Sequence, residues 1–178
     1  MISYAITDPS TLDFNYLQRD LKRFSHKASM IVYRDKHTPH YSMNAKIFME
    51  NAKGFDRVLL HENCLLAEKL GASGVHLKST QFDEIIKSKK LGLFTVINTH
   101  TLEEALKAQE LAADMISYSP VFYTENKGES LGLKALDALI SQANIPVLAL
   151  GGILTQEQVE ACEKSGASGF ASIRYFGA

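Results

Sequence analysis

Eight short apolar runs recur along the 178 residues, each separated from the next by a longer segment of helical period, and this alternation constrains the fold more than any other feature. The runs are roughly Tyr4–Thr7, Met30–Tyr33, Arg57–Leu60, Gly74–Leu77, Leu93–Ile97, Met115–Tyr118, Pro146–Leu150 and Gly169–Ile173. A strand that is apolar at consecutive positions must be covered on both faces, the condition of a parallel sheet wrapped by crossover helices. Eight such units predict an α/β fold, a closed (β/α)8 barrel. An open doubly wound sheet is the competing arrangement, because periodicity does not separate the two.

The connections agree with βα units. Thr101 can cap a helix with Glu104 closing a capping box, and Thr155 with Gln158 repeats the signature. Three runs are preceded by a small-residue turn, at Leu70–Gly74, Leu111–Asp114 and Ser165–Gly169, where a left-handed residue can end one helix and start the next strand. Barrels of this type typically take about 250 residues and seldom fewer than about 200, so the chain is lean. Only Arg174-Tyr175-Phe176-Gly177-Ala178 follow the last run. The expectation is therefore a single domain over residues 1–178 with a truncated eighth helix. A gap there would leave apolar surface for a second copy to cover, predicting a homodimer with Tyr175 and Phe176 at its interface. The alternative is that this pair folds back and plugs the gap within one chain.

Charge narrows the partners. Nineteen Lys and Arg stand against 20 Asp and Glu, a formal net charge of -1, so no overall field favours nucleic acid or an anionic membrane. Any bound anion must be met by local groups. Cys64 and Cys162 show no CxxC or metal spacing and read as buried thiols on helices. The first residues lack a basic segment followed by a long apolar one, and the expected location is the cytoplasm.

In such a barrel the chemistry gathers past the C-terminal ends of the strands. Those positions hold Asp8, Arg34-Asp35-Lys36-His37, His61-Glu62-Asn63, Lys78-Ser79, Asn98-Thr99-His100, the long segment Ser119–Gly128, Gly151-Gly152 and Ser172-Ile173-Arg174. Two segments fit phosphate. The paired glycines Gly151 and Gly152 run from a strand into a capped helix, where backbone N–H groups can approach an anion. Thr124, Asn126 and Lys127 put a hydroxyl, an amide and a cation on one loop. Arg34 and Lys36, two apart in extended backbone, face the same side and form a two-cation clamp, with surface solubility as the plainer explanation. His76 lies inside a strand and reads as a packed histidine, and His100 as a neighbour of a helix cap.

These residues, taken in order, resemble the thiamine phosphate synthases and their sister group, the thiazole tautomerases of the TenI type. Tyr4-Ala5-Ile6-Thr7-Asp8 is similar to the opening strand, Arg34-Asp35-Lys36 to an Arg-x-Lys motif, and Gly74-Val75-His76-Leu77 to the fourth strand. Ser119-Pro120-Val121-Phe122-Tyr123-Thr124 with Lys127, and Ile145 to Ile153, are similar to the sixth-strand loop and the seventh strand with its phosphate turn. The resemblance implies an enzyme of thiamine biosynthesis in which pyrophosphate leaves an aminopyrimidine methyl carbon and a thiazole phosphate nitrogen captures the cation, with Mg²⁺ assisting. It assigns Arg34, Lys36, Thr124 and Lys127 to the pyrophosphate, and Gly151, Gly152, Ser172 and Ile173 to the thiazole phosphate. Asn98 stands at a pyrophosphate-binding serine, and Asn126 and His100 complete the candidate binding residues. Of two expected metal acids one remains, as Glu62, while Gln81 replaces the other; Val32 and His61 also depart from the synthase pattern. A tautomerase would carry a histidine where this chain has Ser119. A phosphate-binding relative without turnover is the third possibility, motivated by the altered acid pair.

Overall fold

Both faces of every strand are buried, and the two-residue period of the backbone decides which of two cores each side chain enters. The computed structural model describes residues 1–177; Ala178, the last residue of the expected domain, lies outside the described residues. β1 (Ile2–Ile6) is followed by a 3-10 turn at Phe14–Tyr16 and α1 (Leu17–Ser25), and β2 (Met30–Tyr33) by α2 (Tyr41–Asn51). β3 (Arg57–His61) leads to α3 (Cys64–Lys69), β4 (Gly74–Leu77) to α4 (Phe82–Lys90), and β5 (Phe94–Thr99) to α5 (Leu102–Glu110). β6 (Met115–Tyr118), β7 (Val147–Leu150) and β8 (Gly169–Ser172) are followed by α6 (Gly132–Ile140), α7 (Gln156–Lys164) and α8 (Arg174–Gly177).

The strands pair in parallel in chain order, and β8 returns to β1 through Ile2↔Gly169 and Tyr4↔Ala171. The sheet is thus a closed barrel, and the open alternative is excluded. Five strands, β1, β3, β5, β7 and β8, differ from the sequence expectation by one or two residues at an end, β1 and β5 the most and for reasons of pairing. β1 begins at Ile2 because its ladder with β8 begins there. β5 continues past Ile97 because Asn98↔Ser117 and Thr99↔Tyr118 extend its ladder with β6 through polar residues.

Tyr4, Ile6, Met30, Val32, Leu59, Val96, Met115, Leu148 and Ala171 fill the barrel interior. The intervening residues, such as Ala5, Ile31, Tyr33, Leu60, Val75 and Ile116, join the larger core between sheet and helices. Removing this much apolar surface from water on both sides of the sheet is the main stabilising term. Cys64 and Cys162 lie in that outer layer on α3 and α7, and burial pushes both thiols up to about 11.

Helix ends follow the sequence with one difference. Thr155 and Gln158 make a complete capping box on α7. On α5 the Thr101 hydroxyl accepts from the Glu104 N–H at 3.1 Å, but the Glu104 carboxylate reaches one residue further back and accepts from the His100 N–H at 2.6 Å. The three expected turns do contain a left-handed residue, at Gly71, Ala112 and Gly166.

The eighth helix is a single turn, as its length requires. Phe176 is fully buried, stacked on Phe170 with ring centroids 5.4 Å apart, and Tyr175 packs edge-on against both. The pair therefore folds back and fills the gap within one chain, instead of presenting an apolar patch. Among the described residues no helix is long and apolar enough to cross a membrane.

Candidate active site

Residues of inward parity that lie beyond the packed interior emerge at the C-terminal mouth of the barrel. Arg34 follows Val32 on that parity, His61 follows Leu59, Asn98 follows Val96, Leu150 follows Leu148 and Ile173 follows Ala171. All five line one cavity of about 380 Å³ at that mouth, together with Lys36, His76, Lys78, His100, Ser119, Thr124, Lys127, Gly151, Gly152, Ser172 and Arg174. Arg34, Lys36, Lys78, Lys127 and Arg174 bring positive charge to the lining, and among the described residues no carboxylate side chain belongs to it. A chain of net charge -1 has thus concentrated cations in a single concave place.

One end of the cavity is made of backbone. Gly151 and Gly152 have φ of 99° and 68°, and a Cβ on Gly152 would fall 2.3 Å from the Tyr123 carbonyl oxygen. Only glycine allows this turn, which is pressed against the β6–α6 loop by Val121 N–H donating to Leu150 O at 2.9 Å and Phe122 N–H donating to Gly151 O at 3.0 Å. Among the described residues, the N–H groups of Gly152 and Ile153 donate to no acceptor in the chain. They are available to an anion. Ser172 has a different task from the expected one: its hydroxyl donates to Ile153 O at 2.8 Å and accepts from Tyr175 N–H at 3.2 Å. Its one donor is spent on holding the turn, so Ser172 shapes the site through Ile153.

The other end is made of side chains. Burial, followed by the positive charges of Arg34 and Lys127, lowers the Lys36 amine below its ordinary value. Such mutual repulsion is relieved when an anion arrives. His61 and His76 are held neutral: burial, then His76, brings His61 down to about 2, while burial and then Arg34 bring His76 down to about 4. His76 is packed as its strand position predicts, with Nδ1 3.0 Å from the Tyr4 hydroxyl and the two rings stacked.

Between the ends sits a polar network. Asn98 Oδ1 accepts from the Ser117 and Ser119 hydroxyls at 3.1 and 3.0 Å, which turns its amide NH₂ toward His100 Nε2 at 3.4 Å. His100 Nδ1 lies 2.7 Å from Ser119 O, and since a carbonyl only accepts, Nδ1 is the donor there and Nε2 is the ring nitrogen that faces the Asn98 amide.

The residues expected to hold a metal are arranged otherwise. Glu62 takes a left-handed φ of 68° and does not line the cavity. Its carboxylate accepts from Lys78 Nζ at 3.2 Å. The Gln81 side chain accepts from Lys78 N–H at 3.0 Å and donates to Glu62 O at 3.1 Å, so both of its polar atoms are bonded within the protein. Mg²⁺ prefers octahedral oxygen coordination through one or two free carboxylates with phosphate. Here the one carboxylate already faces an ammonium group, and among the described residues no cluster of three His, Cys, Asp or Glu side chains could hold a metal ion. These residues do not fit Mg²⁺.

The cavity collects Arg34, Lys36, Asn98, His100, Thr124, Lys127, Gly151, Gly152, Ser172 and Ile173 from the sequence candidates. Asn126 is left outside, because it occupies the left-handed position of an exposed turn closed by Lys127 N–H on Thr124 O. His61, His76, Lys78 and Arg174 line the cavity without having been candidates. Their position just past or within a strand was the available signal; which of them faces inward depends on barrel register.

A family described as thiamine monophosphate synthase matches residues 3–176. A relative from Aquifex aeolicus named putative thiamine-phosphate synthase 2 is 33% identical over 179 residues, 97% of this chain and 96% of its own length. A thiamine-phosphate synthase from Chlamydia caviae is 38% identical over 112 residues, a match that spans 60% of this chain and 52% of that protein. Among solved structures, a thiamine phosphate pyrophosphorylase from Pyrococcus furiosus superposes with a TM-score of 0.84 at 26% identity, covering 99% of this chain and 88% of the other.

Proposed function

The chain belongs to the thiamine monophosphate synthase family, and from that premise we propose that it is a transferase of thiamine biosynthesis that joins an aminopyrimidine diphosphate to a thiazole phosphate. The observation that carries the proposal is one cavity with two unlike anion sites, free amides at Gly152 and Ile153 and side-chain cations at Arg34, Lys36 and Lys127. A reaction between two phosphorylated partners needs both.

In the proposed step the bond between the aminopyrimidine methylene carbon and the diphosphate oxygen breaks, and its electron pair leaves with the diphosphate. The thiazole nitrogen donates its lone pair to the resulting carbocation and forms the new carbon–nitrogen bond, so no proton is transferred. Arg34, Lys36 and Lys127 stabilise the negative charge where it develops, in a recess where such interactions are stronger than in open water. The glycine turn holds the thiazole phosphate, and the Asn98 NH₂ group offers a donor between the two.

One observation favours the tautomerase as a second reading. His100 rests on Ser119, the position at which the resemblance expects the tautomerase histidine, and lines the cavity with Nδ1 bonded to the Ser119 carbonyl. Incubating the full chain with both phosphorylated substrates separates the readings. Thiamine phosphate and pyrophosphate released in equal amounts support the transferase. Isomerisation of thiazole carboxylate phosphate, supplied in a parallel incubation, without pyrophosphate release supports the tautomerase, and saturable binding without either product would make it a binding protein. Two free buried thiols are in keeping with a cytoplasmic location. With Phe176 filling the gap beside β8, a homodimer rests on the family resemblance alone, and light scattering reads it as a mass near twice 19.7 kDa.

A further inference from the structure

The charged end of the cavity holds an ammonium group where a divalent ion was expected. Lys78 is the first residue past β4, and its Nζ lies 3.2 Å from Glu62 Oε1, with the two side chains 47% and 35% exposed at the mouth. Gln81 fixes this pair from below: it binds the Lys78 backbone N–H through Oε1 and the Glu62 carbonyl through Nε2, tying the loop after β3 to the loop after β4. Glu62 N–H donating to His76 O at 2.9 Å adds a second tie. The left-handed backbone at Glu62, unfavourable for a side chain of this type, is therefore held by its surroundings, as happens where a site dictates conformation.

Resting on the diphosphate reading of this end, we infer that the chain binds its diphosphate without a divalent cation, with the Lys78 ammonium group standing in the metal's place and Glu62 orienting it. Charge supports the exchange. Gln81 in place of an acid removes one negative charge and Lys78 contributes one positive charge, together the charge of a divalent ion. A diphosphate has acceptor oxygens on both phosphoryl groups, and Arg34, Lys36, Lys78 and Lys127 line the same cavity, so each phosphoryl group can meet more than one cation. Lys36 already responds to this crowding: burial lowers its amine most, and Arg34, Lys127 and, less, Lys78 lower it further against the opposing charge of Glu62. Lys78 has the reach and freedom to turn from Glu62 to a bound anion, because it is a flexible, half-exposed side chain.

The test uses inorganic pyrophosphate as the probe and calorimetry on the full chain in the presence of EDTA. The wild-type chain is expected to bind, Lys78→Ala to bind about tenfold more weakly or worse, and Lys78→Arg to stay within about threefold of wild type. Thermal melting shows that each variant is folded, which half-exposed position 78 permits. In parallel, electron paramagnetic resonance of Mn²⁺ mixed with the protein alone should show only the free ion. Binding of pyrophosphate by the wild type only when Mg²⁺ or Mn²⁺ is added, retention of Mn²⁺ by the protein alone, or unchanged affinity in Lys78→Ala would each overturn the inference. Failure to bind pyrophosphate with or without metal would instead overturn the diphosphate reading beneath it.

Discussion

The two ends of the cavity bind anions by different physics, and the difference shows which parts of a site a fold protects. The glycine end is built from N–H groups of Gly152 and Ile153, whose directions are set by β7, the turn and the loop pressed onto it. Side-chain substitution there cannot alter the donors without disturbing the fold. The charged end is built from the tips of Arg34, Lys36, Lys78 and Lys127, anchored on three separate loops. Each can be exchanged alone, and this is the end where Glu62, Gln81 and His61 depart from the synthase pattern.

Breaking the backbone end should be the most damaging change. Gly152→Ala places a Cβ 2.3 Å from a carbonyl oxygen at a φ of 68°, so stability should fall by roughly 3 kcal/mol or more, with binding of thiazole phosphate lost alongside it. Urea unfolding and calorimetry on the same preparation check both effects. An alanine variant of wild-type stability would show that the turn is not clamped.

Titration sharpens the contrast, because the charged end holds neutral imidazoles. His76 is brought down to about 4 in the folded chain against about 6.5 unfolded, so between those values the unfolded state binds the extra proton. Stability is full above about pH 6.5 and falls with pH through that window, by on the order of 3 kcal/mol from His76 alone at pH 4. His61 acts in the same direction. Denaturant midpoints measured between pH 4 and 7 should show this slope, and His76→Asn should flatten it.

At the side-chain end, Arg34→Ala removes hydrogen bonds to a charged ligand worth about 1.5–3 kcal/mol, so pyrophosphate should bind tenfold or more weakly while the melting curve stays near wild type. Unchanged affinity would return Arg34 to a solubility role. The smallest effect is expected for Ser172→Ala. Losing the bond to Ile153 O should cost about 1 kcal/mol of stability and only a few-fold in thiazole phosphate affinity, since the hydroxyl acts through the turn. A loss as large as that of Gly152→Ala would mean that Ser172 touches the phosphate directly.

The same contrast explains what was legible in the sequence. Strands are read from apolar runs, and Met30–Tyr33, Gly74–Leu77 and Met115–Tyr118 form over the residues their patterns mark. The Gly151-Gly152 turn is local, so its geometry is written in adjacent residues. Arg34 and Lys36 were legible because their own spacing places them on one side. Lys78 and His61 were not, because pointing into the cavity depends on the register of β3 against β4, where His61 pairs with His76. Asn126 misleads because asparagine serves a left-handed turn as readily as a ligand. Phe176 has the composition of an interface residue, and only the proximity of Phe170 on β8 shows that it belongs to the chain's own core.

On the proposed reading, one cavity receives two different phosphates at two different ends. A crystal structure of the full chain with pyrophosphate and thiazole phosphate together tests it most directly. The thiazole phosphate group is expected on the N–H groups of Gly152 and Ile153, and pyrophosphate among Arg34, Lys36, Lys78 and Lys127. Pyrophosphate seated on the glycine turn, with the four cations facing solvent, would contradict it.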